Sequence, residues 1–346
     1  MKTMKPQAPF DALSPDLVAE CVEEAYGLDL GGLIFPYPSY VNRVYGLKDQ
    51  DGAEYVAKFY RPGRWTQEAI KEEHAFLGQL AAAECPVVAP LRDAGGETLQ
   101  ILDLGDEDCD DDDAGTIANH AAGSRDVFFP FALFPKRGGR IFDAESDEDW
   151  LRLGALAGRV HVVGRQETAA HRPQLRPGLL GEYAAELIAA GVVHPDFVMD
   201  FQEACAAAGK ILDPLLAGTP RFRIHGDFHR GNILVRGDQS LLLIDFDDAA
   251  MGPAIQDLWL LLPGRYDECR REMNLILEGY EEFSDFDRNE LDLVEPLRFF
   301  RMVHFLRWQA LQRSDEAFFR TFQDWGTRAF WTKEVEDLRD QLEFLY

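Results

Sequence analysis

Apolar residues in the first part of the chain follow a helical spacing and then a strand-like one. Ser14-Pro15-Asp16 is typical of a helix start, and apolar residues at helical spacing follow it up to Gly27. Short apolar runs then flank the turn Asp49-Gln50-Asp51-Gly52, so we predict a β-hairpin within Tyr40–Tyr60. The hairpin ends in a strand that carries Lys58.

The next segments alternate between one helix and further strands. Trp65–Ala83 has apolar residues on one face and predicts a helix that contains Glu73. The pattern predicts two more strands, over Leu99–Leu104 and Val127–Phe134. Between them, the segment 105–126 contains four consecutive aspartates and many small residues, which indicates a flexible, solvated acidic insert.

The chain after Pro135 is mostly helical in pattern. Helices are predicted over Trp150–His161, Tyr183–Ala190, Phe197–Ala217 and a series within Arg270–Leu345. Two short apolar runs interrupt them and flank Arg236-Gly237-Asp238-Gln239, which predicts another hairpin. We therefore expect an α+β fold of two lobes, with an antiparallel sheet and a helix in residues 1–135 and a larger, mostly helical lobe in residues 136–346.

Composition narrows the classes of partner. The formal net charge is -26, which repels nucleic-acid phosphates and anionic membrane surfaces. The five cysteines are scattered, and the chain shows neither a secretory signal pattern nor an apolar run long enough for a membrane helix. We expect a cytoplasmic protein, with a monomer favoured, that binds neither nucleic acid nor membrane. A few lysines and bound Mg²⁺ still permit ATP binding.

One stretch combines the groups that phosphoryl transfer needs. It reads His225-Gly226-Asp227-Phe228-His229-Arg230-Gly231-Asn232, and Ile244-Asp245-Phe246 follows after the predicted hairpin. Transfer from ATP needs a carboxylate that accepts the hydroxyl proton, oxygen ligands for Mg²⁺ and a cation on the phosphates. The hairpin brings Asp227, Asn232 and Asp245 together, and their hard oxygen donors suit Mg²⁺.

This pattern resembles the aminoglycoside phosphotransferase and choline kinase branch of the kinase-like superfamily, whose catalytic loop reads His-Gly-Asp-x-His-x-x-Asn before Ile-Asp-Phe or Ile-Asp-Trp. Within that branch the chain is similar to the bacterial stress response kinase A group of Ser/Thr protein kinases. The segments that carry this closer likeness are Ser39–Tyr45, Val56–Pro62, Glu72–His74, Gly252–Trp259 and Tyr280–Asp287. The likeness fails in the acidic insert and is weak in about the last thirty residues.

The resemblance implies the roles of the loop residues. Asp227 is expected to accept the proton, Asp245 to be the chief magnesium ligand and Asn232 the second. His225 and His229 are expected to brace the loop by hydrogen bonds. Asp257 is expected to accept hydrogen bonds from backbone N–H groups of this loop.

The resemblance also implies an ATP site in the N-terminal part. Lys58 is expected to contact the α- and β-phosphates, with Glu73 holding its ammonium group, as in other kinases. Glu72 is an alternative partner, although the apolar face of the helix favours Glu73. No Gly-x-Gly-x-x-Gly precedes Lys58, and Ser39 in Pro38-Ser39-Tyr40-Val41-Asn42 is expected to contact a phosphate in its place.

The sequence does not identify the acceptor, and three hypotheses about the function of the protein remain open. The leading one is a kinase that phosphorylates protein Ser or Thr, and the second is a kinase for a small alcohol such as an aminoglycoside, choline or homoserine. The third is a scaffold that keeps the fold without catalysis, although Asp227, Asn232, Asp245 and Lys58 are all present. Basic and aromatic residues from Arg298 to Trp308 could bound an acceptor site, but we expect them to form core and a solvated cationic face.

Overall fold

The computed structural model describes residues 10, 13–39, 41–104, 128–313 and 318–345. The described residues form two compact units, one from Pro6–Gly78 and Val88–Arg137 and the other from Gln79–Val87 and Gly138–Tyr346. A boundary at residue 135 remains our proposal for the limit of the lobes. The expected acidic insert lies outside the described residues.

The first unit is built on an antiparallel sheet of five strands in the order β1-β2-β3-β5-β4. The elements, in chain order, are α1 (Pro15–Tyr26), β1 (Leu30–Tyr37), β2 (Arg43–Asp49), β3 (Glu54–Phe59), α2 (Gln67–Ala82), β4 (Gln100–Asp103) and β5 (Phe128–Pro135). The residues of α2 from Gln79 onward belong to the second unit. This sheet and the helices around it confirm the predicted α+β class.

Local chemistry explains where α1 begins and ends. The hydroxyl of Ser14 accepts a hydrogen bond from the backbone N–H of Leu17, and Pro15 occupies the first turn. Gly27 closes the helix in the left-handed conformation. Val18 and Val22 are fully buried in an apolar cluster with residues of the sheet, so α1 covers one face of the sheet.

The second unit contains mainly helices. Its elements are β6 (Arg140–Ile141), α3 (Asp147–Gly164), α4 (Leu179–Ala189), α5 (Val198–Gly218), β7 (Phe222–Ile224), β8 (Ile233–Val235), β9 (Leu241–Leu243), β10 (Ala250–Gly252), α6 (Ala254–Trp259), α7 (Arg270–Glu281), α8 (Val294–Gln312), α9 (Phe318–Thr321) and α10 (Arg328–Glu343). The hairpin predicted around 236–239 is the antiparallel pair β8–β9. Strands β7 and β10 form a second pair.

Glycines allow α3 and α7 to pack closely. A Cβ atom at Gly154 would clash with the carbonyl oxygen of Ile276, and one at Gly279 would clash with the carbonyl oxygen of Leu151. The two helices therefore approach at a distance that no larger side chain at either position permits.

Among the described residues, no helix combines the length and the apolar composition that crossing a membrane requires.

Candidate active site

Asp227 and Asn232 lie together in the segment between β7 and β8. Asn232 is the last residue of a short 3₁₀ turn, and it is buried. Its Nδ2 atom donates to the backbone carbonyl of Asp227 at 2.9 Å and lies 3.4 Å from the Asp227 carboxylate. This amide orientation leaves Oδ1 of Asn232 as an oxygen acceptor beside Asp227.

Asp245 follows β9 at the other end of the hairpin. The backbone N–H of Ile244 donates to the carbonyl of Asn232 at 3.0 Å, and His225 Nε2 lies 3.0 Å from the carbonyl of Ile244. These bonds tie the residue before Asp245 to the loop of Asp227 and Asn232. Asp245 itself has a left-handed backbone, with φ of 64°, and its side chain is exposed. Asp tolerates this region better than most residues, and such backbone conformations cluster at functional sites.

Asp257 on α6 holds the start of the loop. Its two carboxylate oxygens accept hydrogen bonds from the backbone N–H groups of His225 and Gly226, each at 2.8 Å. The ring of His161 lies 2.9 Å from the same carboxylate, and both side chains are fully buried. Gly226 has a φ of 84°, and a Cβ atom there would clash with the carbonyl of Asp248. The backbone position before Asp227 is therefore tightly fixed.

Two basic side chains contact the Asp227 carboxylate. Oδ2 lies 3.3 Å from His229 Nε2, and Oδ1 accepts a hydrogen bond from Arg301 Nη2 at 2.7 Å. Burial raises the pKa of Asp227, but the hydrogen bond from His229 and the charge of Arg301 outweigh it and hold that pKa well below its usual range. The Asp227 carboxylate is therefore ionised.

Sequence reasoning missed the contact of Arg301. We expected the basic and aromatic residues of this helix to form core and a solvated cationic face. Phe299 is fully buried, as expected, whereas Arg301, with 38% of its side chain exposed, also contacts Asp227. The sequence shows a basic residue within an aromatic helical stretch. It does not indicate that this residue contacts a carboxylate 74 residues earlier in the chain.

Lys58 and Glu73 form an ion pair in the first unit. Lys58 Nζ lies 3.6 Å from Glu73 Oε1, and the two side chains are 12% and 1% exposed. The hydroxyl of Tyr60 donates to Glu73 at 3.3 Å, and the ammonium group of Lys58 lies over the Tyr60 ring. Glu72, the alternative partner, is half-buried. The geometry thus places Glu73, the residue favoured from sequence, against the lysine.

The strand register puts aromatic side chains on the sheet face of Lys58. Lys58 is paired directly with Val44 on β2, and Val44 with Tyr37 on β1. Directly paired residues of neighbouring strands lie on the same face of a sheet. Tyr37 and Phe35 are 38% and 57% exposed, so this face presents exposed aromatic surface on β1, two strands away from Lys58.

Ser39 lies in the connection between β1 and β2. Its side chain is half-buried, and its carbonyl oxygen accepts a hydrogen bond of 3.4 Å from Arg43. A contact between Ser39 and a phosphate group stays a prediction.

The donor set around Asp227 suits Mg²⁺. Asp245 offers an exposed carboxylate and Asn232 an amide oxygen, and both are the hard oxygen donors that Mg²⁺ prefers. In the part of the chain that the structure describes, no three His, Cys, Asp or Glu residues form a metal-holding group. Such a small set fits Mg²⁺, which usually takes one or two protein ligands and completes its shell with substrate phosphates and water.

Comparisons with known proteins show the family to which the chain belongs. The model of the phosphotransferase enzyme family, APH, matches residues 36–294. The chain is 36% identical over 344 residues to stress response kinase A of Escherichia coli (strain K12), covering 97% of this chain and 94% of that one. It is 34% identical over 345 residues to serine/threonine protein kinase RdoA of Salmonella typhimurium (strain LT2), covering 97% and 95%. The resemblance seen in the sequence is thereby confirmed.

Solved structures show the same fold at low sequence identity. Amicoumacin kinase hAmiN, in complex with AMP-PNP, Ca²⁺ and its ligand Ami, is 18% identical with a TM-score of 0.71, covering 95% of this chain and 94% of that one. A microcompartment-associated aminopropanol kinase is 17% identical with a TM-score of 0.64, covering 94% of both chains. The predicted kinase-like fold is confirmed by this likeness. The chain belongs to the phosphotransferase enzyme family and is a kinase.

Proposed function

We propose that the protein transfers the γ-phosphoryl group of ATP, in the presence of Mg²⁺, to Ser or Thr hydroxyl groups of proteins. The observation that carries this proposal is the loop in which Asn232 contacts Asp227 while hydrogen bonds tie Ile244, beside Asp245, to the same loop. The name of one relative, serine/threonine protein kinase RdoA, which is 34% identical over 97% of this chain, supports a protein acceptor.

Each residue of the loop has its own role in the proposed reaction. Asp227 accepts the proton of the attacking hydroxyl group, because it is ionised and partly accessible, with 23% of its side chain exposed. Asp245 and Asn232 hold Mg²⁺, which neutralises charge on the ATP phosphates when bound. His225 braces the loop through its contact with the carbonyl of Ile244.

The first unit supplies the nucleotide contacts. Lys58, held by Glu73, contacts the α- and β-phosphates. Ser39 contacts a phosphate through its hydroxyl group or backbone N–H. The exposed aromatic side chains of Phe35 and Tyr37 provide apolar surface for the adenine ring.

A small alcohol is the second candidate acceptor. Solved structures of the same fold include kinases named for amicoumacin and aminopropanol, although their identity of 17–18% speaks for the fold alone. Asp227 could deprotonate a small alcohol as well as a protein hydroxyl. The two candidates therefore differ in where the transferred phosphate is found.

The test is transfer of labelled γ-phosphate from Mg-ATP into a cell extract, followed by separation of proteins from metabolites. The wild type is compared with Asp227→Ala and with Asp238→Ala, whose exposed aspartate lies in the β8–β9 turn. We expect label on protein Ser or Thr, reduced about 10²- to 10⁴-fold in Asp227→Ala and unchanged in Asp238→Ala. Label confined to metabolites would favour the small-alcohol kinase. Equal labelling by wild type and Asp227→Ala would contradict the assignment of Asp227.

A further inference from the structure

Arginines of α8 each pair with a carboxylate, but the partner of Arg301 is unlike the others. Arg298 contacts Glu295 at 3.1 Å, and Arg307 contacts Glu186 at 2.6 Å. Neither of these glutamates belongs to the loop that carries the chemistry. Arg301 instead contacts Asp227, the residue that we propose as the proton acceptor.

Arg301 offers a positive charge and further hydrogen-bond donors beside Asp227. A guanidinium group stays protonated at any pH at which the enzyme works. The side chain of Arg301 is 38% exposed, so a group from solution can reach it. The contact with Asp227 uses Nη2, and a guanidinium group has four further N–H donors.

Distance limits where the acceptor lies. A hydroxyl that gives its proton to Asp227 must come within about 3 Å of that carboxylate. Since Arg301 Nη2 is 2.7 Å from Oδ1 of Asp227, groups next to that hydroxyl lie within a few ångströms of a fixed positive charge. A carboxylate in that place is attracted and can form a charge-assisted hydrogen bond, whereas an ammonium group is repelled.

Other charged groups lie around the same loop. Asp143 pairs with Arg230, the residue after His229, at 3.0 Å, and the ring of His229 lies 3.3 Å from the Asp227 carboxylate. The net charge of -26 opposes an acidic acceptor at long range, but screening at physiological salt limits that effect to about 8 Å.

We propose that Arg301 is a specificity-determining residue that selects acceptors with a carboxylate next to the reacting hydroxyl group. In a protein acceptor this is a Ser or Thr with an acidic neighbour. The inference rests on the proposed role of Asp227 and deepens the proposed function by naming the class of acceptor.

The test uses two matched sets of acceptors and labelled Mg-ATP. Three serine peptides differ only in the residue after the serine, which is Asp, Asn or Lys. Three small alcohols carry a carboxylate, an amide or an ammonium group, namely glycerate, glyceramide and 3-amino-1,2-propanediol. The ratio of kcat/KM within each set is measured for wild type, Arg301→Gln, Arg301→Lys and Arg307→Gln, the last being the matched control on the same helix.

For the wild type we expect the carboxylate member to be preferred over the amide by about tenfold or more, with the ammonium member poorest. Arg301→Gln should abolish that order, Arg301→Lys should keep part of it, and Arg307→Gln should keep it entirely. Absence of the preference in the wild type, its survival in Arg301→Gln, or an equal loss on all three members of a set would overturn the inference.

The two acceptor sets separate this inference from the proposed function. Label found in the alcohols alone contradicts a protein acceptor. The order of kcat/KM among the carboxylate, amide and ammonium alcohols then decides the role of Arg301. Absence of transfer to every carboxylate-bearing acceptor also overturns the inference. If Arg301→Gln fails to fold, the reduced order expected in Arg301→Lys remains the deciding comparison.

Discussion

The carboxylate of Asp257 lies 2.8 Å from the backbone nitrogen of Gly226, the residue immediately before Asp227. The second carboxylate oxygen accepts from the backbone N–H of His225 and lies beside the buried ring of His161. One buried side chain on α6 thereby fixes two consecutive peptide groups. The position of Asp227 depends on a residue that itself touches neither ATP nor acceptor.

Replacing Asp257 with Asn should impair both stability and turnover. The amide offers one acceptor oxygen, so one backbone N–H of the loop faces an NH₂ group and loses its partner. We expect the free energy of unfolding to fall by about 1–3 kcal/mol and kcat to fall about tenfold to a hundredfold, because small displacements of a reacting group are costly. Denaturant unfolding and steady-state kinetics measure the two effects.

Asp213→Asn is the matched control for Asp257→Asn. Asp213 accepts a hydrogen bond of 2.9 Å from the backbone N–H of Gly178, away from the loop of Asp227. This variant should lose stability without a comparable loss of kcat. Equal kinetic losses in the two variants would show that the effect of Asp257 comes from general destabilisation.

Glu73 and its neighbour Glu72 offer a test of the ATP site. Glu73→Gln keeps the size of the side chain and its contact with Tyr60, but removes the charge that faces Lys58 at 3.6 Å. We expect kcat/KM for ATP to fall about tenfold or more, since a charge-assisted contact on Lys58 is lost. The same substitution at the half-buried Glu72 should have little effect. A larger loss in Glu72→Gln would make Glu72 the functional partner.

Gly279→Ala should destabilise the fold in spite of the better helix propensity of alanine. The new Cβ would clash with the carbonyl of Leu151, which forces α3 and α7 apart. Overpacking of this kind costs about 1–3 kcal/mol. On α5, Gly209 has nothing within 4 Å of a new Cβ, so Gly209→Ala should be neutral or stabilise by up to about 1 kcal/mol. Thermal unfolding of both variants checks the contrast, and equal shifts would contradict the close helix contact.

Local signals in the sequence were sufficient for many elements of this fold. Ser14, Pro15 and Gly27 mark α1, and the polar turn at 236–239 marks the β8–β9 hairpin. Because that hairpin brings its two ends together, local reasoning also placed Asp227, Asn232 and Asp245 in one region of the second unit.

Elements that depend on distant partners could not be read in the same way. Strand β1 contains Gly31, Gly32 and Pro36, which disfavour a strand, yet it pairs with β2 at the edge of the sheet. The pairing of Arg301 with Asp227 and the helix contact at Gly279 join residues far apart in the chain. No local pattern specifies such partners.

Glu290 should give the stability of the protein a pH dependence between about pH 4.5 and 7. Its side chain is 5% exposed, and burial raises its pKa to about 7 although the backbone N–H of Ile255 donates to it at 2.9 Å. The folded chain therefore binds this proton more tightly than the unfolded chain, where the pKa is near 4.5. The resulting stabilisation is complete below the unfolded pKa, decreases as pH rises and is lost above about pH 7.

Glu290→Gln isolates this effect, because glutamine keeps an acceptor for Ile255 but does not titrate. Relative to this variant, the wild type should lose about 2–3 kcal/mol of unfolding free energy between pH 5 and pH 8. Denaturant unfolding at the two pH values measures the difference, and Glu281→Gln at the surface ion pair with Arg288 serves as the control. A constant difference between wild type and Glu290→Gln would show that Glu290 carries the same charge in the folded and unfolded chain.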